Sequence, residues 1–167
     1  MVHALNHQSL LAFEKTTVQE RNLVLDCARS LKRAAENGVV QPLLRGKKIG
    51  LFSDPQADGD AARFRRAATE LGAHVAQIRS SLSALSSAED IRYTARMLGR
   101  LYDAVECEGM SMALVRQVSD HAGIPIFNAL ASEAHPIAGM SEQLDGIFAP
   151  GHRRRLLLQA TLLCSMA

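Results

Sequence analysis

The 167-residue chain has no tryptophan, and its two tyrosines and five phenylalanines leave aromatics at 4%. Proteins that hold single-stranded nucleic acid stack bases on aromatic side chains, and that platform is missing here. A net charge of +2 gives no electrostatic footprint for nucleic acid either. Cys27, Cys107 and Cys164 are odd in number, widely spaced and free of any CxxC pair, which argues against a disulfide framework or a zinc knuckle. The longest apolar stretch, near "LLLQATLLCSMA", is too short to span a bilayer, and "MVHALNHQSLLAFEKTT" at the start has no basic segment followed by an apolar one. These absences lead to the expectation of a soluble, cytoplasmic protein with no nucleic-acid or membrane partner, no cofactor and no metal.

What is present is globular. Hydrophobic residues make up 47% and charged residues 22%, enough for one core and short for two. "TTVQERNLVLDCARSLKRAAENG" opens on a threonine cap and repeats Leu23, Val24, Cys27, Ala28 and Leu31 at helical spacing. "KKIGLF" reads as a strand stopped by Asp54-Pro55, and "DAARFRRAATELG" as a helix closed by Gly72. "AHVAQI", "YDAVEC" and "IPIFNA" read as three more strands. Between them lie "AEDIRYTARMLGRL", capped by Ser86 or Ser87, and "MSMALVRQVSDHAG", closed by Gly123. Strands alternate with helices, which predicts an α/β domain with a parallel sheet covered on both faces. "GHRRRLLLQATLLCSMA" forms a last helix.

Five blocks, "LLRGKKIGLF", "ELGAH", "YTARMLGRLYDAV", "GIPIFNAL" and "SEAHPI", fall in one order between Leu10 and Leu144. In that order and near that spacing, the chain resembles the N-terminal carbamoyl phosphate domain of ornithine carbamoyltransferase, in the aspartate/ornithine carbamoyltransferase family. The resemblance implies a three-layer α/β/α domain with a four-stranded parallel sheet of order 2-1-3-4 that packs into trimers. In that family a second domain binds the amino acid. Here "HPIAGMSEQLDG" leads almost directly to "IFAPGHRRRLLLQ", which is similar to the family's closing helix. The expectation is a single unit over 1–167, with a core over 1–148, a closing helix over 149–167 and no amino-acid domain. An unrelated amphipathic helix is the other reading of that segment.

The family holds carbamoyl phosphate with Ser-Thr-Arg-Thr-Arg at the loop entering the helix after its first strand, where hydroxyls, N–H groups, guanidinium and helix dipole favour a dianion. By resemblance that motif falls on Ala57, Asp58, Gly59, Asp60 and Ala61, and nothing of it survives. An arginine just after the third strand falls on Glu108. In the His-Pro-x-Gln motif the histidine is kept as His135 and the glutamine becomes Ala138. A carboxylate in place of a guanidinium converts attraction into repulsion of about 4 kcal/mol per pair at about 4 Å, with an effective dielectric near 20. No confident catalytic residue remains, and His135 is the retained family position.

Each candidate also has a plain structural reading. Asp58 and Asp60 can cap a helix start, Glu108 can face solvent, and His135 before Pro136 can hold a turn. Cys107 lies between Glu106 and Glu108 with no cation to activate it, and Cys27 sits on an apolar stripe. The basic "GHRRR" segment opens a helix, where the dipole disfavours cations, and is expected to pair with acidic neighbours. Two functions are expected from this pattern. One is a catalytically inactive relative serving as a homo-oligomeric scaffold or regulatory subunit, with an authentic carbamoyltransferase as a possible partner. The alternative is a binding protein or divergent transferase whose acidic pocket, Asp58, Asp60, Glu108 and His135, takes a cationic or metal-bound ligand.

Overall fold

The structure, a computed structural model, describes residues 5, 15–39, 41–54, 59–79, 81–144, 146 and 149–166. Thr17 opens α1 (Val18–Glu36) with a reciprocal capping box. Its hydroxyl accepts from the Glu20 N–H at 3.2 Å, and the Glu20 carboxylate accepts from the Thr17 N–H at 2.7 Å. Next come β1 (Lys48–Phe52), α2 (Gly59–Glu70), β2 (His74–Ile78), α3 (Ala88–Leu101), β3 (Ala104–Cys107), α4 (Met112–Ala122) and β4 (Ile126–Asn128). A 3-10 helix (Pro136–Gln143) and α5 (Pro150–Met166) follow. Ser87 and Ser111 cap α3 and α4 by accepting from the Asp90 and Leu114 N–H groups.

All strand pairs are parallel, in the order β2-β1-β3-β4. β3 is buried along its whole length and β1 from its second residue on, as strands covered on both faces must be. On one face, α1, α2 and α5 enclose a core that includes Phe64, Phe127, Leu157 and Leu162. The Phe64 and Phe127 rings meet there, 6.3 Å apart and tilted by 52°. On the other face, α3 and α4 bury Ile91, Leu98, Val115 and Val118 against Val105 and Ile126. Gly99 makes the α3–α4 approach possible, since a Cβ there would collide with the carbonyl oxygen of Ala122.

The expected α/β/α sandwich, its sheet order and its last helix are all present. β4 is shorter than "IPIFNA" suggests, because Pro125 has no N–H to give to a ladder. The 3-10 helix is an addition, one that eight residues with Pro at the first turn and no amphipathic period do not announce. α5 is no surface amphipath: from Leu156 onward nearly every residue is buried, Gln159 and Thr161 included. Gln159 is satisfied there by donating to the Ala67 carbonyl at 3.2 Å and to Glu70 at 3.0 Å.

Candidate functional site

The sheet order reverses direction between β1 and β3, and in open parallel sheets the crevice outside the strand ends at such a point is where ligands bind. The carboxyl end of β3 is therefore the first place to look. Val105 and Cys107 face the α3/α4 core and Ala104 the opposite one, so by strand alternation Glu106 and Glu108 share the face of α2 and α5. Their backbone is fixed in register, with Glu106 opposite Leu51 and Phe127, and with the Glu108 N–H donating to the Phe52 carbonyl at 2.7 Å.

Glu106 is wholly buried. Its Oε1 accepts from the Leu130 N–H at 2.8 Å, a bond aimed by Ala129, which sits at φ 50° immediately after β4. Its Oε2, like Oε1 of half-buried Glu108, receives no donor from any other group. Burial first, and then the neighbouring Glu108 charge, hold the Glu106 carboxyl well above the usual carboxylate range. Glu108 is also raised, by burial above all and by the Asp60 charge, while its contact with Glu106 acts the other way. Two carboxyls in contact and both raised titrate as a pair, and a proton shared between them relieves the repulsion.

Asp60 stands in the first turn of α2, and its charge reaches both glutamates. Arg63, one turn on, holds its carboxylate at 2.6 Å. Asp58 lies outside the described residues. His135 is placed by its own turn: Nδ1 accepts from the Ile137 N–H at 3.2 Å as N-cap of the 3-10 helix. Burial lowers its pKa to about 4, so at neutral pH the imidazole is an uncharged acceptor. Asp60 and Glu108 thus belong to one electrostatic cluster, and His135 belongs to the neighbouring turn. Among the described residues no group of three His, Cys, Asp or Glu is arranged as metal ligands.

Glu106 is the member that reading the sequence for a site passes over. The signal was a charged residue inside the buried run "DAVEC", two positions from Glu108 and therefore on its face. Glu108 does not simply face solvent, since the burial that raises its pKa also buries Oε1. Cys107 is fully buried, and burial with two glutamates beside it pushes its thiol far up, so it is not a nucleophile at neutral pH. Two of the three "GHRRR" arginines find acids within this chain: Arg154 reaches Glu133 at 2.8 Å and Arg155 reaches Glu70 at 3.3 Å.

The chain matches known proteins across these same elements. Ornithine carbamoyltransferase of Actinobacillus pleuropneumoniae serotype 5b is 36% identical over 144 residues, covering 86% of this chain and 43% of that protein. The catabolic ornithine carbamoyltransferase of Burkholderia mallei is 39% identical over 132 residues, covering 79% and 39%. Among solved structures, ornithine carbamoyltransferase from Pyrococcus furiosus superposes with a TM-score of 0.68 at 25% identity, over 84% of this chain and 45% of that one. The Gloeobacter violaceus enzyme gives 0.61 at 27% identity, over 81% and 42%. The chain thus spans less than half the length of these relatives. A family model described as "Aspartate/ornithine carbamoyltransferase, carbamoyl-P binding domain" matches residues 8–144, and the chain belongs to that family.

Proposed function

We propose that this domain does not bind carbamoyl phosphate in the manner of its relatives and serves instead as a non-catalytic, self-associating member of the family, a scaffold or regulatory subunit. The observation that carries this reading is the Glu106–Glu108 carboxyl pair with Asp60 beside it, at the end of β3 and the start of α2. A phosphate dianion entering there would meet acidic groups where stabilisation of its charge requires donors and cations. Asp60 occupies the first turn of α2, so the helix dipole that would favour an anion already faces a carboxylate.

Self-association is supported by α3. Tyr93, Met97 and Leu101 recur four residues apart on its outer face and are 71%, 43% and 54% exposed, after a fully projecting Leu85. The trimer implied by the family resemblance would give such a stripe a partner. The alternative reading, a cationic ligand in the acidic pocket, has one observation in its favour, the buried oxygens Glu106 Oε2 and Glu108 Oε1 that no other group reaches. A protonated Glu106 already accounts for them without a cation.

Calorimetric titration with carbamoyl phosphate, ornithine, a polyamine and divalent metals, run beside light scattering, tests both readings. The scaffold predicts no saturable heat with ornithine, the polyamine or the metals, carbamoyl phosphate binding far weaker than ordinary affinity, and a mass of three times 18.1 kDa. A micromolar amine or metal complex that weakens in Glu108→Gln would establish the alternative. Ordinary carbamoyl phosphate affinity would sink both.

A further inference from the structure

We propose that the cavity enclosed by α2, the segment after β4 and the first turn of α5 is an anion site that takes a phosphate monoester with a small apolar body. The cavity has a volume of about 490 Å³, in the range of small-molecule sites. Arg63 and Arg66 enter it from α2, and Arg154, Arg155 and His152 from α5. Leu130, Ile137, Leu157 and Leu158 form its apolar walls.

The charges in this cavity do not balance. Four guanidiniums line it with one carboxylate, Glu133. Asp60 and Glu70 pair with them from outside the lining, which among the described residues leaves three carboxylates for four arginines. One Glu70 charge serves two guanidiniums: its Oε1 accepts from Arg66 at 3.0 Å and from Arg155 at 3.3 Å, and its Oε2 from Gln159 at 3.0 Å. The first turn of α5 holds no acidic residue, so the positive end of its dipole adds to the imbalance. A run of arginines at that end of a helix is unfavourable by itself and becomes favourable when an anion sits among them.

The arrangement is also prepared. Arg154 and Arg155 are 25% and 29% exposed at the side chain and are already held, Arg154 by Glu133 and Arg155 by Glu70 and the His152 ring at 2.7 Å. Little side-chain entropy is left to lose on binding. A dianion with three acceptor oxygens matches forked donors approaching from two helices. The leucine and isoleucine walls, opposite the arginines in character, ask for an uncharged body attached to that head.

The test is titration calorimetry of the full chain, in buffer of low ionic strength, with phenyl phosphate and with inorganic phosphate. The site predicts saturable one-to-one binding of phenyl phosphate, about tenfold tighter than inorganic phosphate because the ring meets the apolar walls. Arg66→Gln and Arg155→Gln should each weaken it about tenfold, the loss of one charge-assisted contact. The Arg66 side chain is 70% exposed, so that variant keeps the fold and decides the matter even where Arg155→Gln does not. No saturable heat with either probe overturns the proposal, as does affinity unchanged in Arg66→Gln. Inorganic phosphate binding as tightly as phenyl phosphate overturns the assignment of a monoester.

Discussion

At the scale of single residues, Glu106 sets the chemistry of the β3 end because a charge there is shut off from solvent and faces the charges of Glu108 and Asp60. Its pKa is raised in the fold, so between the unfolded and folded values the native state holds the extra proton and stability falls as pH rises. His135 works in the opposite sense: lowered to about 4 from 6.5, it costs stability as pH falls through that interval. Across the interval between its two values the glutamate effect amounts to at most about 1.4 kcal/mol per pH unit. Glu106→Gln keeps an oxygen for the Leu130 N–H and offers an amide N–H to Glu108. Denaturant melts should therefore show the variant gaining on the wild type as pH rises above the usual carboxylate range, by about 1–3 kcal/mol, with the wild-type decline flattened. A parallel decline in both proteins would place the proton elsewhere.

Ala129 is a second residue with a cost. Its φ of 50° is left-handed, which an L side chain tolerates poorly, yet it turns the chain so that the Leu130 N–H meets Glu106. Ala129→Gly should gain up to about 1 kcal/mol in thermal or chemical denaturation, despite glycine's greater freedom when unfolded. Destabilisation would mean that the Ala129 methyl packs for more than the strain it brings.

At the scale of elements, α3 and α4 meet at Gly99 with no room for a side chain. Gly99→Ala drives a methyl into the backbone of Ala122, and the two helices must part, with an expected cost of about 1–3 kcal/mol. Circular dichroism melts would register it, and a neutral result would show that α3 has room to slide. This scale is also where the sequence was most readable. Alternating runs, the Thr17 and Ser87 caps and the glycine after α4 placed helices and strands within a residue or two of where they lie, because each signal is local. Less was legible where the cause is tertiary. The 3-10 helix follows from His135 capping a proline turn, and α5 is buried nearly all round because α1, α2 and the 3-10 helix surround it. Within the site, Asp60 and Glu108 could be named from the chain alone. The role of Glu106 could not, since it depends on a backbone amide 24 positions away.

At the scale of the whole molecule, two faces of α2 divide the charge. Its start carries the acidic cluster with β3, and its flank contributes arginines to the cavity against α5. The outer face of α3 carries Tyr93, Met97 and Leu101 among exposed arginines, and the proposed self-association would use that stripe. Met97→Glu, which leaves the buried side of α3 untouched, should reduce the light-scattering mass toward 18.1 kDa with an unchanged melting profile. An oligomer that survives the substitution would move the interface to another surface.

The buried carboxyl of Glu106 has one more consequence, for the folding reaction as a whole. Between its unfolded and folded pKa values the unfolded chain carries that group ionised and the folded chain carries it protonated. Folding is then a proton-consuming reaction: a chain diluted from denaturant into weakly buffered water should turn the solution more alkaline. The heat of folding should change from one buffer to another in proportion to each buffer's enthalpy of ionisation, and Glu106→Gln should take up fewer protons on folding than the wild type, the difference being the Glu106 share.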